Sequence, residues 1–414
     1  MDLVDTTTDM GRGVFAMYQN YNALRISGYM QPQFQVAEGS GIESYAGGDF
    51  PKNVDSRFML RRGRIRLDYA HYNKDHQSST NFVFQFDGTE RGVNIRDFWG
   101  RFYENKWQYF AITTGMFARP FSYEVNLSSS NRETPERGRM SQILMKTERD
   151  MGVMLTFSPR KEKARLKWLK ADVGVFNGQG LAGPAEYDSR KDIIGRISMK
   201  PQTIKPLGVV VSAAFSTLQG GVINQSPMYY TMKQQNSMYV PYTDSVNSNI
   251  GKVAPRRYYG GDVQVKIPNR KGATEFRAEY ITGLQSATSG TSQTPGSYPT
   301  DKLNNNLPLY VRPFNGAYFY FLQHLGTEKA QLVLKYDWYD PNTTVSGNEI
   351  DKSKGFSAAD IRYDTFGFGG VYYANPHMKF FVWYDIVTNE TTVLNGYTKD
   401  IKDNVLTVRV QYSF

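Results

Sequence analysis

Along most of the chain, apolar and polar residues alternate with a period of two. Residues 24–36 set Leu24, Ile26, Gly28, Met30, Pro32, Phe34 and Val36 against Arg25, Ser27, Tyr29, Gln31, Gln33 and Gln35. Residues 81–87 place Phe82, Phe84 and Phe86 opposite Asn81, Gln85 and Asp87. The last segment places Leu406, Val408, Val410, Tyr412 and Phe414 opposite Thr407, Arg409, Gln411 and Ser413. Successive side chains of a strand point to opposite faces, so this alternation predicts strands with one apolar and one polar face. No stretch sustains a helical stripe over three turns. Sixteen segments carry the pattern, near 23–37, 56–71, 80–88, 92–104, 107–118, 148–158, 166–177, 190–200, 207–218, 257–267, 272–283, 315–325, 328–340, 363–375, 377–388 and 402–414. Most are long enough for a tilted strand to cross a bilayer.

The connections sort by parity. Counting from the first, 38–55, 119–147, 219–256, 284–314 and 341–362 are long, and 178–189 and 389–401 are intermediate. Every even-numbered connection is short. A transmembrane barrel has this asymmetry, with tight turns at one rim and long loops at the other; a soluble sandwich has no reason to sort its loops. The turn residues agree, since Pro268-Asn269-Arg270-Lys271-Gly272 and Asn375-Pro376-His377 suit tight reversals. The predicted fold is all-β: an antiparallel transmembrane β-barrel of sixteen strands.

Composition narrows the classes further. Tyr, Phe and Trp make up 14% of 414 residues, yet mean hydropathy is −0.53. No apolar run of about 18 residues exists, which excludes helical spans but not a barrel. Absence of cysteine removes disulfides, thiolate metal sites and cysteine nucleophiles together. The net charge of +10 is a moderate excess that could favour anions, nucleic acid or an acidic surface. The start, Met-Asp-Leu-Val-Asp, has no charged region followed by an apolar core, so any secretory signal is expected to be absent from this sequence.

Several motifs, in order along the chain, carry a family resemblance. They are Gly28-Tyr29-Met30-Gln31, Arg61-Arg62-Gly63-Arg64-Ile65-Arg66-Leu67, and Thr114-Gly115-Met116-Phe117-Ala118-Arg119-Pro120-Phe121. Further along come Gly174-Val175-Phe176-Asn177-Gly178, Lys335-Tyr336-Asp337-Trp338-Tyr339-Asp340-Pro341 and Arg409-Val410-Gln411-Tyr412-Ser413-Phe414. Together they resemble the phosphate-selective porin O and P family of Gram-negative outer membranes. The resemblance implies a sixteen-stranded barrel in the bacterial outer membrane, usually trimeric, whose third external loop folds into the pore. Here that loop is 119–147, with Ser128-Ser129-Ser130-Asn131-Arg132 and Glu136-Arg137-Gly138-Arg139. Residues 1–22 would form a short N-terminal periplasmic arm and 23–414 the barrel. Both termini would be periplasmic and the long loops external. Outer-membrane lipid, the barrel-assembly machinery and two further copies of the chain are the implied partners, and Phe414 resembles the aromatic end that this machinery recognises.

The strongest candidate chemistry is a row of arginines. Arg62, Arg64 and Arg66 share one strand face, where guanidiniums repel unless water or an anion relieves them. Their planar forks suit phosphate or carboxylate oxygens. The bland alternative is a solvated face neutralised by neighbouring carboxylates. Candidate pore-lining and anion-binding residues are Arg62, Arg64, Arg66, Arg101, Arg196 and Arg409 on strands, with Arg132, Arg137 and Arg139 in the third loop. Across the clearer inward phases, nine cations face seven carboxylates, and in 119–147 five face three, so only a modest preference for small anions is expected.

Other signals dissolve on inspection. Gly178-Gln179-Gly180-Leu181-Ala182-Gly183 matches a dinucleotide fingerprint, but the residues after it offer no apolar helix to meet a pyrophosphate. His71, His76, His324 and His377 have no metal-ligand spacing. Glu275 and Glu279 share a face and could mimic paired glycosidase carboxylates, yet pairing with arginine or water is the simpler reading. No enzyme activity, cofactor, metal or nucleic-acid partner is expected. Tyr336, Trp338, Tyr339, Tyr372, Tyr373, Trp383 and Tyr384 suit interfacial girdles. The leading expectation is a passive diffusion porin; the alternatives are an accessory barrel of a larger outer-membrane complex and a soluble carbohydrate-binding β-protein.

Overall fold

The computed structural model describes residues 23–73, 78–182, 186–243 and 245–414, so the arm expected at 1–22 lies outside the described residues. The strands are β1 (Ala23–Ala37), β2 (Ser56–Tyr72), β3 (Ser78–Thr89), β4 (Gly92–Glu104), β5 (Phe110–Ala118), β6 (Arg149–Phe157), β7 (Leu169–Phe176), β8 (Asp192–Ile204) and β9 (Val209–Ile223). They continue as β10 (Tyr229–Gln235), β11 (Met238–Thr243), β12 (Val253–Asn269), β13 (Gly272–Ala287), β14 (Leu309–His324), β15 (Ala330–Asp340), β16 (Tyr363–Asn375), β17 (Met378–Asn389) and β18 (Val405–Ser413).

Sixteen of these form a closed antiparallel barrel. β1 closes on β18 from Tyr29↔Ser413 to Ala37↔Val405, and β9 passes directly to β12 from Val253↔Ile223 to Lys266↔Val210. The sixteen predicted segments are these strands. β10 and β11 are extra: they make a hairpin inside 219–256, a stretch expected as plain loop. Its tip, Asn236-Ser237, has φ of 46° and 68°, the left-handed two-residue turn whose twist matches a hairpin. Pro241 and the run Lys233-Gln234-Gln235 break the alternation that would have announced it. β10 adds in parallel to the start of β14, Tyr229 opposite Leu309.

Burial is inverted relative to a water-soluble sheet. On β1, Leu24 and Ile26 are 62% and 59% exposed, while Gln31 and Gln35 are fully buried. On β6, Met151, Val153 and Leu155 face outward and Asp150 and Thr156 are buried. An apolar exterior around a polar interior is a surface for lipid. Among the described residues no helix is long and apolar enough to cross a membrane.

The seven aromatics expected as girdles divide between the faces. Tyr336 and Tyr372 are exposed on the outer wall, but Tyr339 and Trp383 are buried inside and Tyr373 packs against the interior core. Neighbours along a strand must point to opposite faces, so an aromatic pair cannot be all girdle.

Two β-bulges re-aim side chains. Between the pairs Met30↔Gly63 and Pro32↔Leu60, Gln31 faces both Arg61 and Arg62. Between Gln85↔Asp97 and Phe86↔Ile95, Arg96 is the extra residue. A bulge sets two residues against one and breaks strict alternation. Each of these adds an arginine to the interior.

Candidate functional site: the barrel interior

The segment 119–147 carries two short helices, α1 (Tyr123–Asn126) and α2 (Arg139–Leu144), and packs against inward side chains from many strands. One side of it is apolar. Phe121, Val125, Met140, Ile143, Leu144 and Met145 are buried with the inward residues Phe176, Ile194, Leu218, Tyr258, Phe314 and Tyr318. Phe121 meets Tyr258 edge-on at 5.9 Å, and Tyr258 meets Phe314 at 5.2 Å. Gly316 makes the close approach possible, because a Cβ there would lie 2.7 Å from Met140 Sδ.

Its other contacts are ionic and polar, densest toward β1, β2 and β18. Glu136 accepts from Arg62 (Nη2 2.6 Å, Nη1 3.0 Å), from Arg61 Nε (2.9 Å) and from Arg409 Nη2 (2.7 Å). Burial alone would raise the Glu136 pKa, but these guanidiniums outweigh it and hold the carboxyl well below the ordinary range. Glu133 takes a two-pronged pair from Arg277 (2.8 and 2.9 Å). Arg64 donates to Ser129 Oγ (2.8 Å), and Lys379 Nζ donates to the carbonyls of Ser130 (2.6 Å) and Arg132 (3.0 Å). Glu124 accepts from the Gly138 amide and from the Tyr320 hydroxyl (2.6 Å).

Each candidate arginine can now be placed. Arg62, Arg64 and Arg66 share the interior face, as the alternation requires, and each has a carboxylate: Glu136, Asp87 (2.9 Å) and Asp68 (2.8 Å) respectively. The row is therefore balanced by carboxylates, and Arg62 and Arg64 are buried rather than solvated. Arg196 is paired with Asp262 (2.7 Å), and Arg101 donates to Thr113 Oγ1 (2.6 Å). Arg137 is paired with Glu148 (2.7 Å). Arg139 lies over the Tyr363 ring (3.5 Å to its centre) and 3.9 Å from Asp403.

Arg132 differs from the rest. It is buried, and its Nε and Nη1 have no hydrogen-bond partner among the described residues. Burial, abetted by Arg62, pushes its pKa down to about 10. Arg132 and Lys379 thus stand beside the Glu136 cluster as cations in excess.

Arg61, Arg96, Glu148 and Lys379 also belong to this interior network and were not anticipated. Arg96 and Arg137 share Glu148, whose carboxyl burial would raise but the surrounding arginines hold well below its ordinary range. The bulges hid Arg61 and Arg96, because pure alternation assigns both to the outer wall.

No known family's sequence profile matches the chain, and no curated protein does either. Solved structures do. OmpT, an outer membrane protein of Vibrio cholerae, superposes with a TM-score of 0.52 at 9% identity, over 95% of this chain and 100% of that one. The outer membrane channel DcaP of Acinetobacter baumannii gives 0.52 at 12% identity, over 94% and 97%. Salmonella typhi OmpF gives 0.52 at 12%, over 95% and 98%. The fold is that of the outer-membrane porins. At these identities the likeness carries the architecture and leaves the interior to be read from its own residues.

The glutamates of the glycosidase-like pair have partners of their own. Glu275 binds Arg277 (2.6 Å), and Glu279 accepts from Ser122 Oγ (2.8 Å), so the two are engaged in different contacts. Among the described residues no group of three or more acidic or histidine side chains is placed to hold a metal. Within the described residues 178–182 of the glycine-rich stretch, the backbone forms a 3₁₀ turn at Gly180–Ala182.

Proposed function

We propose that this protein is a Gram-negative outer-membrane porin, passing small hydrophilic solutes by diffusion beside the inward loop 119–147, with a modest preference for anions such as phosphate. The short turns face the periplasm and the long loops the exterior. The observation that carries the anion preference is the cluster around Glu136. One carboxylate there serves Arg61, Arg62 and Arg409, with Arg132 and Lys379 alongside. Alternate residues of a strand are roughly 6.6 Å apart, inside a Debye length of about 8 Å at physiological salt, so their fields overlap along the path. The paired carboxylates keep the net field small. The ordered motifs of the O and P porins support membership of that group, and a trimer goes with it.

Phe414 belongs to assembly rather than transport in this reading. Its ring is exposed on the outer wall and lies over Gly28, where an added Cβ would sit 2.5 Å from Phe414 Cζ; the two residues also exchange backbone hydrogen bonds of 3.0 Å across the closing seam.

The test is a reversal potential in a KCl gradient across a planar bilayer. Weak anion selectivity is expected. Replacing Arg62, Arg64 and Arg66 by Ala should move it toward cations, more strongly at low salt. Unchanged selectivity in the triple variant would remove the row from the pore field. A barrel that inserts but never conducts would instead fit the accessory-subunit reading.

A further inference from the structure

Charge is distributed unevenly between the two rims. Turn 158–168 carries Arg160, Lys161, Lys163, Arg165 and Lys167 against Glu162 alone. The neighbouring turns add Lys106 on one side and Lys205 on the other, with Lys200 near the end of β8, followed by Arg270-Lys271. These turns touch one another: Arg160 N donates to Gln108 O (2.9 Å) and Lys200 Nζ to Pro159 O (3.5 Å). They form one crescent below β4 to β13. Turns 325–329 and 376–377, on the far side, show no such excess, with Glu328 beside Lys329 and only His377. At the opposite rim, 38–55 has four carboxylates and one lysine.

We infer that this crescent binds the headgroups of anionic phospholipids in the leaflet that the short turns face. The inference rests on the membrane-spanning reading but not on conductance. Two observations select lipid over a soluble acidic partner. First, the cations are interleaved with exposed apolar groups on the same rim: Trp107 (58% exposed), Leu166, Trp168 and Leu207 (70%). Tryptophan settles at the headgroup level, and lysine and arginine stems lie along apolar surface with their heads in the polar layer. Second, the turns do not project. Arg270-Lys271 is a two-residue reversal, and 158–168 is coiled back by Ala164 N to Lys161 O (3.1 Å), Lys167 N to Ala164 O (3.1 Å) and Leu169 N to Leu166 O (3.0 Å). Their charges are therefore held at the membrane surface, where a negative leaflet concentrates them.

The experiment reconstitutes the barrel in phosphatidylcholine and follows tryptophan quenching by chain-brominated phosphatidylglycerol or chain-brominated phosphatidylcholine. A Trp107→Phe/Trp168→Phe barrel supplies the background to subtract. At low salt the Trp107/Trp168 signal should be quenched at a several-fold lower mole fraction of the anionic lipid. The ratio should fall to near one in about 1 M salt and in the Lys161→Gln/Lys163→Gln/Arg165→Gln/Lys167→Gln variant. A Lys161→Arg/Lys163→Arg/Lys167→Arg variant should keep it, which separates charge from folding damage. Equal quenching in the wild type, or a preference that survives the four Gln changes, overturns the inference. Binding of polyglutamate without any lipid preference also overturns it, in favour of a soluble acidic partner. Conductance should be unchanged in the Gln variant; a lipid preference in a barrel that does not conduct would sink the channel reading alone.

Discussion

The inward loop is held to the wall in two different ways on its two sides. Toward β7–β9 and β12–β14 apolar contact predominates, with Ile143, Leu144 and Met140 packed among Ile194, Tyr258 and Phe314, beside the Glu133–Arg277 pair on β13. Toward β1, β2 and β18 it is fixed by charge, through Glu136 on Arg61, Arg62 and Arg409. Apolar burial is strong and non-directional: it keeps the loop inside without specifying its register. A buried ion pair gives back in Coulomb energy about what it costs in desolvation, yet it is costly to break. The ionic side therefore sets where the loop edge sits and which cations remain uncompensated. In the proposed porin, retention would then rest mainly on the apolar wall and selectivity mainly on the ionic one.

The largest effect should come from the apolar side. Replacing Ile143 and Leu144 by Ala removes two buried side chains, each worth about 2–5 kcal/mol in a packed core. The loop should leave the wall while the barrel stays closed. Single-channel conductance should rise several-fold, and trypsin should cut the folded barrel after Arg132, Arg137 or Arg139. Wild-type conductance and protection in the double variant would mean that apolar contact does not retain the loop.

A smaller and different change is expected from Glu136→Gln. The amide keeps the shape but leaves Arg61, Arg62 and Arg409 without their shared carboxylate. Breaking a fully buried pair costs about 3–5 kcal/mol, less where lumen water can reach the arginines. Conductance should change by less than twofold, while the reversal potential moves clearly toward anions. A variant that opens the pore as widely as the Ile143/Leu144 pair would erase the division between the two walls.

The two walls were unequally legible in the sequence. All sixteen barrel strands and the parity of their connections follow from alternation, because a period of two is fixed by backbone geometry. The row Arg62, Arg64 and Arg66 followed for the same reason. Alternation reports only which face a residue takes, however, and cannot say that Glu136, Asp87 and Asp68 would reach those three arginines. It also fails wherever a strand bulges, which is why Arg61 and Arg96 were lost. The apolar wall was hidden for another reason. Phe176, Ile194 and Leu218 occupy inward positions expected to be polar, and their partner is a loop with no strand period of its own. The hairpin β10–β11 escaped through its proline and polar run.

The smallest effect separates the Glu136 junction from a third contact of the same loop, Arg139 with Asp403. Burial raises the Asp403 pKa to about 7, with the nearby Arg139 opposing the rise only in part. Its unfolded value is about 3.9, so the folded state binds more protons between those limits. Stability contributed there is greatest at low pH and declines as pH rises through about 7. Glu136 has the opposite sign. Its folded pKa lies well below the unfolded value of about 4.3, so its contribution is complete above that value and is lost only in strong acid. Between pH 5.5 and 8.5, amide exchange corrected for intrinsic rates should therefore quicken within 390–404 and stay constant within 128–137. Asp403→Asn should abolish the pH dependence at 390–404. If residues 128–137 also loosen with rising pH, the two junctions titrate as one unit, and the loop cannot be divided into independently held sides.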